Sequence, residues 1–146
     1  MIIYTLGFTQ KNAETFFRLI KENQIEILLD IRLNNKSQLA GFTKGEDLKY
    51  FLKEICNCKY VHEEQFAPTK EILDDYKKKK NTWEQYVERY IPLMKSRGAV
   101  GNFMKHYSSY ERVCLLCSEP TPEQCHRRLF AEMIQKVHPE IQIRHI

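Results

Sequence analysis

The stretch Val113-Cys114-Leu115-Leu116-Cys117-Ser118-Glu119-Pro120-Thr121-Pro122-Glu123-Gln124-Cys125-His126-Arg127-Arg128 gathers thiols, a carboxylate, an imidazole and guanidinium groups. An apolar run rich in β-formers ends at Cys117, and a loop with two prolines leads to a helix. Thr121 reads as the N-cap, Pro122 as the first helical residue and Gln124 as the reciprocal partner of a capping box. Cys125, His126 and Arg127 then fall in the opening of that helix. Unpaired amides and the helix dipole there favour an anion and lower a thiol pKa. Cys117, Ser118 and Glu119 stand where the strand gives out. A thiolate, an acid/base pair and a cation are the parts of nucleophilic catalysis on an anionic substrate.

Other segments offer partners for this chemistry. Gly7 allows a tight strand-to-helix turn, and Thr9 can cap the helix that follows, so Gly7-Phe8-Thr9 reads as an anion cradle or as an ordinary turn. Asp30 and Arg32 are two apart, so on a strand they point to one side. They read either as an ion pair or as a bidentate anion holder in Arg32. His62 closes a short strand beside Glu63 and Glu64 and reads as an edge residue. Cys114 and Cys117 have Cys-x-x-Cys spacing, but residues three apart on a strand face opposite sides, so Cys114 is assigned to the core. Cys117 and Cys125 can share one crevice. Three readings stay open for them: nucleophile and neighbour, redox pair, or two metal ligands completed by His126. Cys56 and Cys58 flank a turn and are assigned to packing.

The elements that must position these groups alternate. Residues 2–6 read as a strand, and Ala13, Phe16, Phe17 and Ile20 mark a helix capped by Thr9 or Asn12. Residues 25–31 read as a strand buried on both faces. Leu48, Phe51, Leu52 and Ile55 mark a helix, 59–62 a strand and 71–76 a weaker helix. That helix runs into the lysines 77–80, read as a solvated end. Trp83, Tyr86, Val87, Tyr90, Ile91 and Met94 form an apolar stripe, read as core with a base-stacking platform as the alternative, and Pro92 is expected to kink or end the helix. Val100, Phe103, Met104 and Tyr107 mark another helix. A strand over 112–117, a helix over 122–137 and a strand over 141–146 complete the pattern. Strands separated by helices imply right-handed βαβ units. The expected fold is α/β: one domain over 1–146, with a mainly parallel, Rossmann-like, five-stranded sheet of order 3-2-1-4-5 and helices on both faces. In such a sheet ligands bind beyond the carboxyl ends of the strands.

The chain has 146 residues, 42% of them hydrophobic, which suits one domain with a real core. Residues 1–5 show no basic leader, and no apolar run reaches the length of a membrane span, so neither a secretory signal nor a membrane partner is expected. A formal net charge of +4 permits an anionic ligand but is mild for a dedicated nucleic-acid binder. Five cysteines, an odd number without a regular framework, fit a reducing cytoplasm.

Taken together, these residues resemble domain of unknown function family 488. The matching stretches are Thr5-Leu6-Gly7-Phe8-Thr9, Asp30-Ile31-Arg32, 37–42, Tyr60-Val61-His62, Cys117-Ser118-Glu119 with Cys125-His126-Arg127, and His145-Ile146. One departure is Phe8, where many relatives carry His, so no catalysis is assigned to that position. The resemblance covers nearly the whole chain and implies an α/β domain with a site, but no reaction. The expected site has Cys117, Glu119, Cys125 and His126 as catalytic groups and Gly7, Thr9, Asp30, Arg32 and Arg127 as substrate-binding groups. The reading is a small cytoplasmic cysteine-dependent hydrolase or transferase acting on a phosphate- or nucleotide-like anion. The alternatives are a non-catalytic nucleotide or nucleic-acid binding module, and a Cys/His metal site. No metal and no particular cofactor is assigned.

Overall fold

Apolar runs become the strands β1 (Ile2–Gly7), β2 (Ile27–Asp30), β3 (Lys59–His62), β4 (Arg112–Cys117) and β5 (Gln142–His145). β1, β2 and β4 are buried along nearly their whole length, whereas β3 and β5 stay partly exposed. The computed structural model describes residues 1–36 and 40–146, so three residues of the family-like stretch 37–42 lie outside the described residues. It forms one all-parallel, five-stranded sheet of order β3-β2-β4-β1-β5, with the polar strands at its edges.

The fold class is as expected, but the order 3-2-1-4-5 is corrected: β4 lies between β2 and β1. β1, β2 and β4 are similarly apolar, so no local pattern says which takes the centre. Long-range pairing decides it. The Glu26 carboxylate accepts the Glu111 and Arg112 amides, each at 2.7 Å. The Glu26 amide donates to the Arg112 carbonyl at 3.0 Å. These bonds pin the start of β4 beside β2. The registers Gly7↔Cys117 and Asp30↔Leu116 then bring three carboxyl ends level.

Among the described residues six α-helices cover the sheet: α1 (Ala13–Glu22), α2 (Gly45–Cys56), α3 (Lys70–Lys77), α4 (Trp83–Ser96), α5 (Ala99–Tyr107) and α6 (His126–Val137). Asn12, not Thr9, caps α1, its side chain accepting the Thr15 amide at 2.8 Å. Phe16, Phe17 and Ile20 of α1 and Leu48 and Leu52 of α2 pack on Tyr4, Leu6, Leu28, Cys114 and Leu116. On the other face, Ile72, Tyr86, Tyr90, Phe103, Phe130 and Ile134 from α3 to α6 pack on Ile3, Leu29, Val113 and Leu115. The alternation of side chains along a strand thus separates two cores. β4 leads to α6 on one face, while both its neighbours lead to helices on the other. The carboxyl end of β4 is therefore a topological switch point, where an open α/β sheet leaves a crevice.

Two helix boundaries differ from expectation. α4 runs through Pro92 to Ser96. Pro92 and Glu88, whose carbonyl loses its helical partner, are both exposed, so water can replace that bond. α6 starts at His126 with Cys125 as its N-cap, four residues later than Thr121 and Pro122 indicate. Gln124 is not available for a capping box, because its side chain accepts from the Tyr76 hydroxyl at 2.9 Å. Residues 118–124 stay a loop instead. Among the described residues, no helix is long and apolar enough to cross a membrane.

The strand order can be checked at Glu26. Glu26→Ala removes the acceptor of two amides across β2 and β4, and we expect a loss of about 1–2 kcal/mol in urea denaturation. A neutral substitution would instead fit an order in which β2 and β4 are not neighbours.

Candidate active site

Cys117 ends β4, and the loop after it must return over β1 before α6 can begin. The Phe8 and Thr9 amides donate to the Cys117 and Ser118 carbonyls at 3.3 and 3.2 Å, and the Thr9 hydroxyl also donates to Ser118. The Glu119 carbonyl comes down on Gly7: a Cβ there would lie 1.6 Å from that oxygen and 3.0 Å from Arg127 Nη1. Only a residue without a Cβ fits. Gly7, Thr9 and the amides after Gly7 therefore hold the site loop. Gly7 is needed for close approach, not for a left-handed turn.

Arg127 closes this arrangement by donating from Nη1 to the Glu119 carbonyl at 2.7 Å. A helix-start arginine diverging from the apolar face is expected towards the loop or the crevice rim; Arg127 meets the loop, yet it is only 1% exposed. The loop that folds back over Gly7 covers it. Among the described residues Arg127 has no carboxylate partner, and its buried Nε has no hydrogen-bond partner. It is a buried cation whose charge acts on Cys117.

The extended backbone of Cys125 turns its side chain back to the strand end. Its thiol donates to Cys117 Sγ, with the two sulfurs 2.7 Å apart. His126 Nε2 lies 2.7 Å from the Ile31 carbonyl, which only accepts, so Nε2 carries the proton. Nδ1 is thereby aimed at Cys117 Sγ, at 3.6 Å. Burial alone would raise the Cys117 thiol. The hydrogen bond from Cys125, the charge and hydrogen bond of His126 and the charge of Arg127 override it, and Cys117 titrates well below the ordinary thiol range. Burial and the bond to Cys117 push Cys125 well above that range. Burial would lower His126, but the charge and hydrogen bond of Cys117 raise it. The shifts of Cys117 and His126 favour the ionised forms of both, with the Cys125 thiol donating to the Cys117 sulfur.

Asp30 and Arg32 form an ion pair, one of their two expected roles. Arg32 donates from Nε and Nη2 to the two Asp30 oxygens at 2.8 and 2.6 Å, and from Nη2 to the Thr43 carbonyl at 2.6 Å. The Arg32 amide, at 3.2 Å, and the Tyr60 hydroxyl, at 2.6 Å, also donate to Asp30. Phe8, the departure from the family pattern, lies under the Arg32 guanidinium, 5.1 Å from ring centroid to Cζ. His62 stays at the edge, 2.8 Å from the Arg32 carbonyl through Nε2.

A cavity of about 160 Å³ opens beside these groups. Cys117, Glu119, Cys125, His126 and Arg32 line it, but Asp30 and Arg127 do not. Its far wall is aromatic. Trp83 and Tyr86 stack at 5.1 Å, and Tyr76 lies 5.2 Å from Tyr86. Lys77, at the edge of the cavity, supplies an exposed cation. Tyr76, Trp83, Tyr86 and Lys77 are not among the site residues expected from the sequence. Their one legible signal was the aromatic stripe of α4, which reads as core until the fold turns its first turn towards β4.

Cys117 Sγ, Cys125 Sγ and His126 Nδ1 lie within 4.8 Å of one another, a donor set that suits zinc. Two thiolates on a tetrahedral zinc, each about 2.3 Å from the metal, stand about 3.8 Å apart. These sulfurs are closer than that, so a zinc ion bound here would have to spread them apart.

The family model described as Domain of unknown function DUF488 matches residues 12–134. The chain belongs to that family. No curated protein and no solved structure matches it. The DUF488 match takes in Asp30, Arg32 and the whole of Cys117 to Arg127, while Gly7 and Thr9 precede it. The groups that contain the chemistry thus lie inside the family region, and the β1 turn that holds their loop lies before it.

Gly7→Ala tests how the loop is held. We expect a stability loss of about 1–3 kcal/mol, or more, in urea denaturation. Alkylation of Cys117 at neutral pH should slow with it. Unchanged stability and alkylation would mean that the loop does not depend on this close approach.

Proposed function

We propose that the protein is a small cysteine-dependent enzyme, a hydrolase or transferase, acting on a phosphate- or nucleotide-like anion in a reducing cytoplasm. One observation carries the reading: a buried thiol whose environment favours the thiolate faces a histidine Nδ1 on the wall of a cavity. A structural cysteine needs neither the imidazole nor the opening.

In this reading Cys117 Sγ attacks the electrophilic centre of the substrate, and the bond to the leaving group breaks. His126, oriented by the Ile31 carbonyl, gives its Nδ1 proton to that group. Water or an acceptor then releases the covalent adduct, passing a proton to His126 or to Glu119 at the cavity edge. Arg32 is largely committed to Asp30 and Thr43, so it contributes positive potential more than a bidentate clamp. Lys77 is the cation with freedom to meet an anion. Arg127 acts through Cys117 and the loop, not through the substrate. The cavity of about 160 Å³ is small beside the ~300 Å³ or more of typical ligand sites. It suits the reacting end of a substrate, with a planar ring against Trp83 and Tyr86.

The aromatic wall also favours a second reading, a binding module for nucleotides or nucleic acid. Ligand binding that survives replacement of both Cys117 and Cys125 would support the module over the enzyme. Metal analysis of protein purified without a histidine tag tests the third alternative, the Cys/His site.

The enzyme reading makes a pH prediction. Cys117 titrates lower in the folded chain than in the unfolded one. Its stabilisation is complete above the ordinary thiol value, about 8.5, and is lost as pH falls through the folded value. His126 is raised, so its contribution is complete below its ordinary value, about 6.5, and is lost as pH rises through the folded value. Iodoacetamide should therefore alkylate Cys117 at near-maximal rate at pH 7 and slow only in acid. His126→Gln should move the midpoint of that profile upward. A wild-type midpoint at or above 8.5 would remove the thiolate and the enzyme reading with it.

A further inference from the structure

A hydrolytic cysteine needs one thiol, and this site has two in contact. Cys125 occupies the N-cap of α6, where Ser, Thr, Asp or Asn would stabilise the helix by accepting a free amide. Its side chain makes no cap bond and is turned to Cys117 instead, with 2.7 Å between the sulfurs. The position forgoes a cap for a sulfur–sulfur contact. Both ends of that contact are held by the surrounding structure. Cys117 is fixed by its register with Gly7, and Cys125 by a loop whose Glu119 carbonyl is bound by Arg127. Both sulfurs belong to residues on the cavity wall, although the residues are only 4% and 2% exposed, so a reagent reaches them through the cavity. A small reagent is favoured by that route.

The other three cysteines are placed differently. Cys114 lies within the sheet, Cys58 is buried and donates to the Lys59 carbonyl, and Cys56 donates to the Phe17 carbonyl. None of them lines this cavity.

We propose that Cys117 and Cys125 are a redox couple, oxidised to a disulfide by a small hydroperoxide that enters the cavity and reduced again by thiols. The inference rests on Cys117 being an accessible thiolate, as in the function proposed above. Cys117 Sγ attacks one peroxide oxygen, and the O–O bond breaks. The departing oxygen takes the Nδ1 proton of His126 and leaves as water or an alcohol, with Cys117 now a sulfenic acid. Cys125 Sγ attacks that sulfur. The S–O bond breaks, and the hydroxyl leaves as water with the Cys125 proton. Two electrons pass from the two sulfurs to the peroxide. The disulfide removes the nucleophile and the negative charge that faces His126, so oxidation switches the site off.

The test uses the full chain, reduced and then exposed to hydrogen peroxide. Remaining thiols are blocked with N-ethylmaleimide under denaturing conditions before mass analysis. The expected product is lighter by about 2 Da before blocking, carries a Cys117–Cys125 cross-linked peptide, and reverts with dithiothreitol. In Cys125→Ala the reaction should stop at a Cys117 sulfenic acid that dimedone captures. A wild-type protein that also stops at the sulfenic acid, or that cross-links through Cys56, Cys58 or Cys114, overturns the proposal. Iodoacetamide labelling separates this failure from that of the function reading. Selective labelling of Cys117 without the cross-link removes the redox couple alone. Absence of selective labelling removes both.

Discussion

The site depends on one backbone oxygen meeting one missing side chain. The Glu119 carbonyl occupies the space where any residue other than glycine at position 7 would carry its Cβ, and Arg127 binds that oxygen from the side. Because the loop is tied there, the chain leaving β4 cannot run on into the helix that Thr121 and Pro122 would start. It crosses the end of β1 and begins α6 at His126. That late start sets Cys125 against Cys117 and lets His126 reach the Ile31 carbonyl after β2. Three strand ends and one helix start are thus coupled through a contact of a few atoms.

The charges around this contact form two groups. Asp30 and Arg32 neutralise each other within the wall, and Tyr60 and Thr43 satisfy most of what remains. A buried ion pair of this kind needs such additional bonds to offset its desolvation. Arg127 is the opposite case, a buried guanidinium with an unpartnered Nε and no carboxylate among the described residues. Burying an unpaired charge costs several kcal/mol unless another charge answers it. The Arg127 charge favours the ionised form of Cys117, as does His126. Together with the hydrogen bond from Cys125, these charges outweigh the opposing effect of burial on the Cys117 thiol.

Position in the sheet explains why the chemistry collects at this edge. β4 sends its helix to one face while β1 and β2 send theirs to the other, so the helices diverge above Cys117. Into that gap α3 and α4 present Tyr76, Trp83 and Tyr86. The same rings continue through Tyr86 to Tyr90 into the core, where the Tyr90 hydroxyl donates to the Phe66 carbonyl. The aromatic wall is the exposed end of a packed row, rigid because its other end is buried.

Much of this was legible in local pattern. Apolar runs and helical stripes marked the strands and helices in order, because burial on two faces or one leaves a period in the residues. The cysteines, His126 and Glu119 could be assigned to one crevice, because a parallel sheet carries its ligands at its carboxyl ends. Strand order was not legible. β1, β2 and β4 are interchangeable as apolar runs, and only the long-range ladders of β4 with both β1 and β2 place it at the centre. Nor were the roles of Gly7, Arg127 and the aromatic wall. Gly7-Phe8-Thr9 has the same composition whether it cradles an anion or seats a loop, and Arg127 at a helix start can face solvent or be covered. The sequence by itself determined the residue types, their alternation into elements and the edge at which they meet. The tertiary structure alone decided which atoms touch, because contacts between residues far apart in the chain depend on packing that no local spacing encodes.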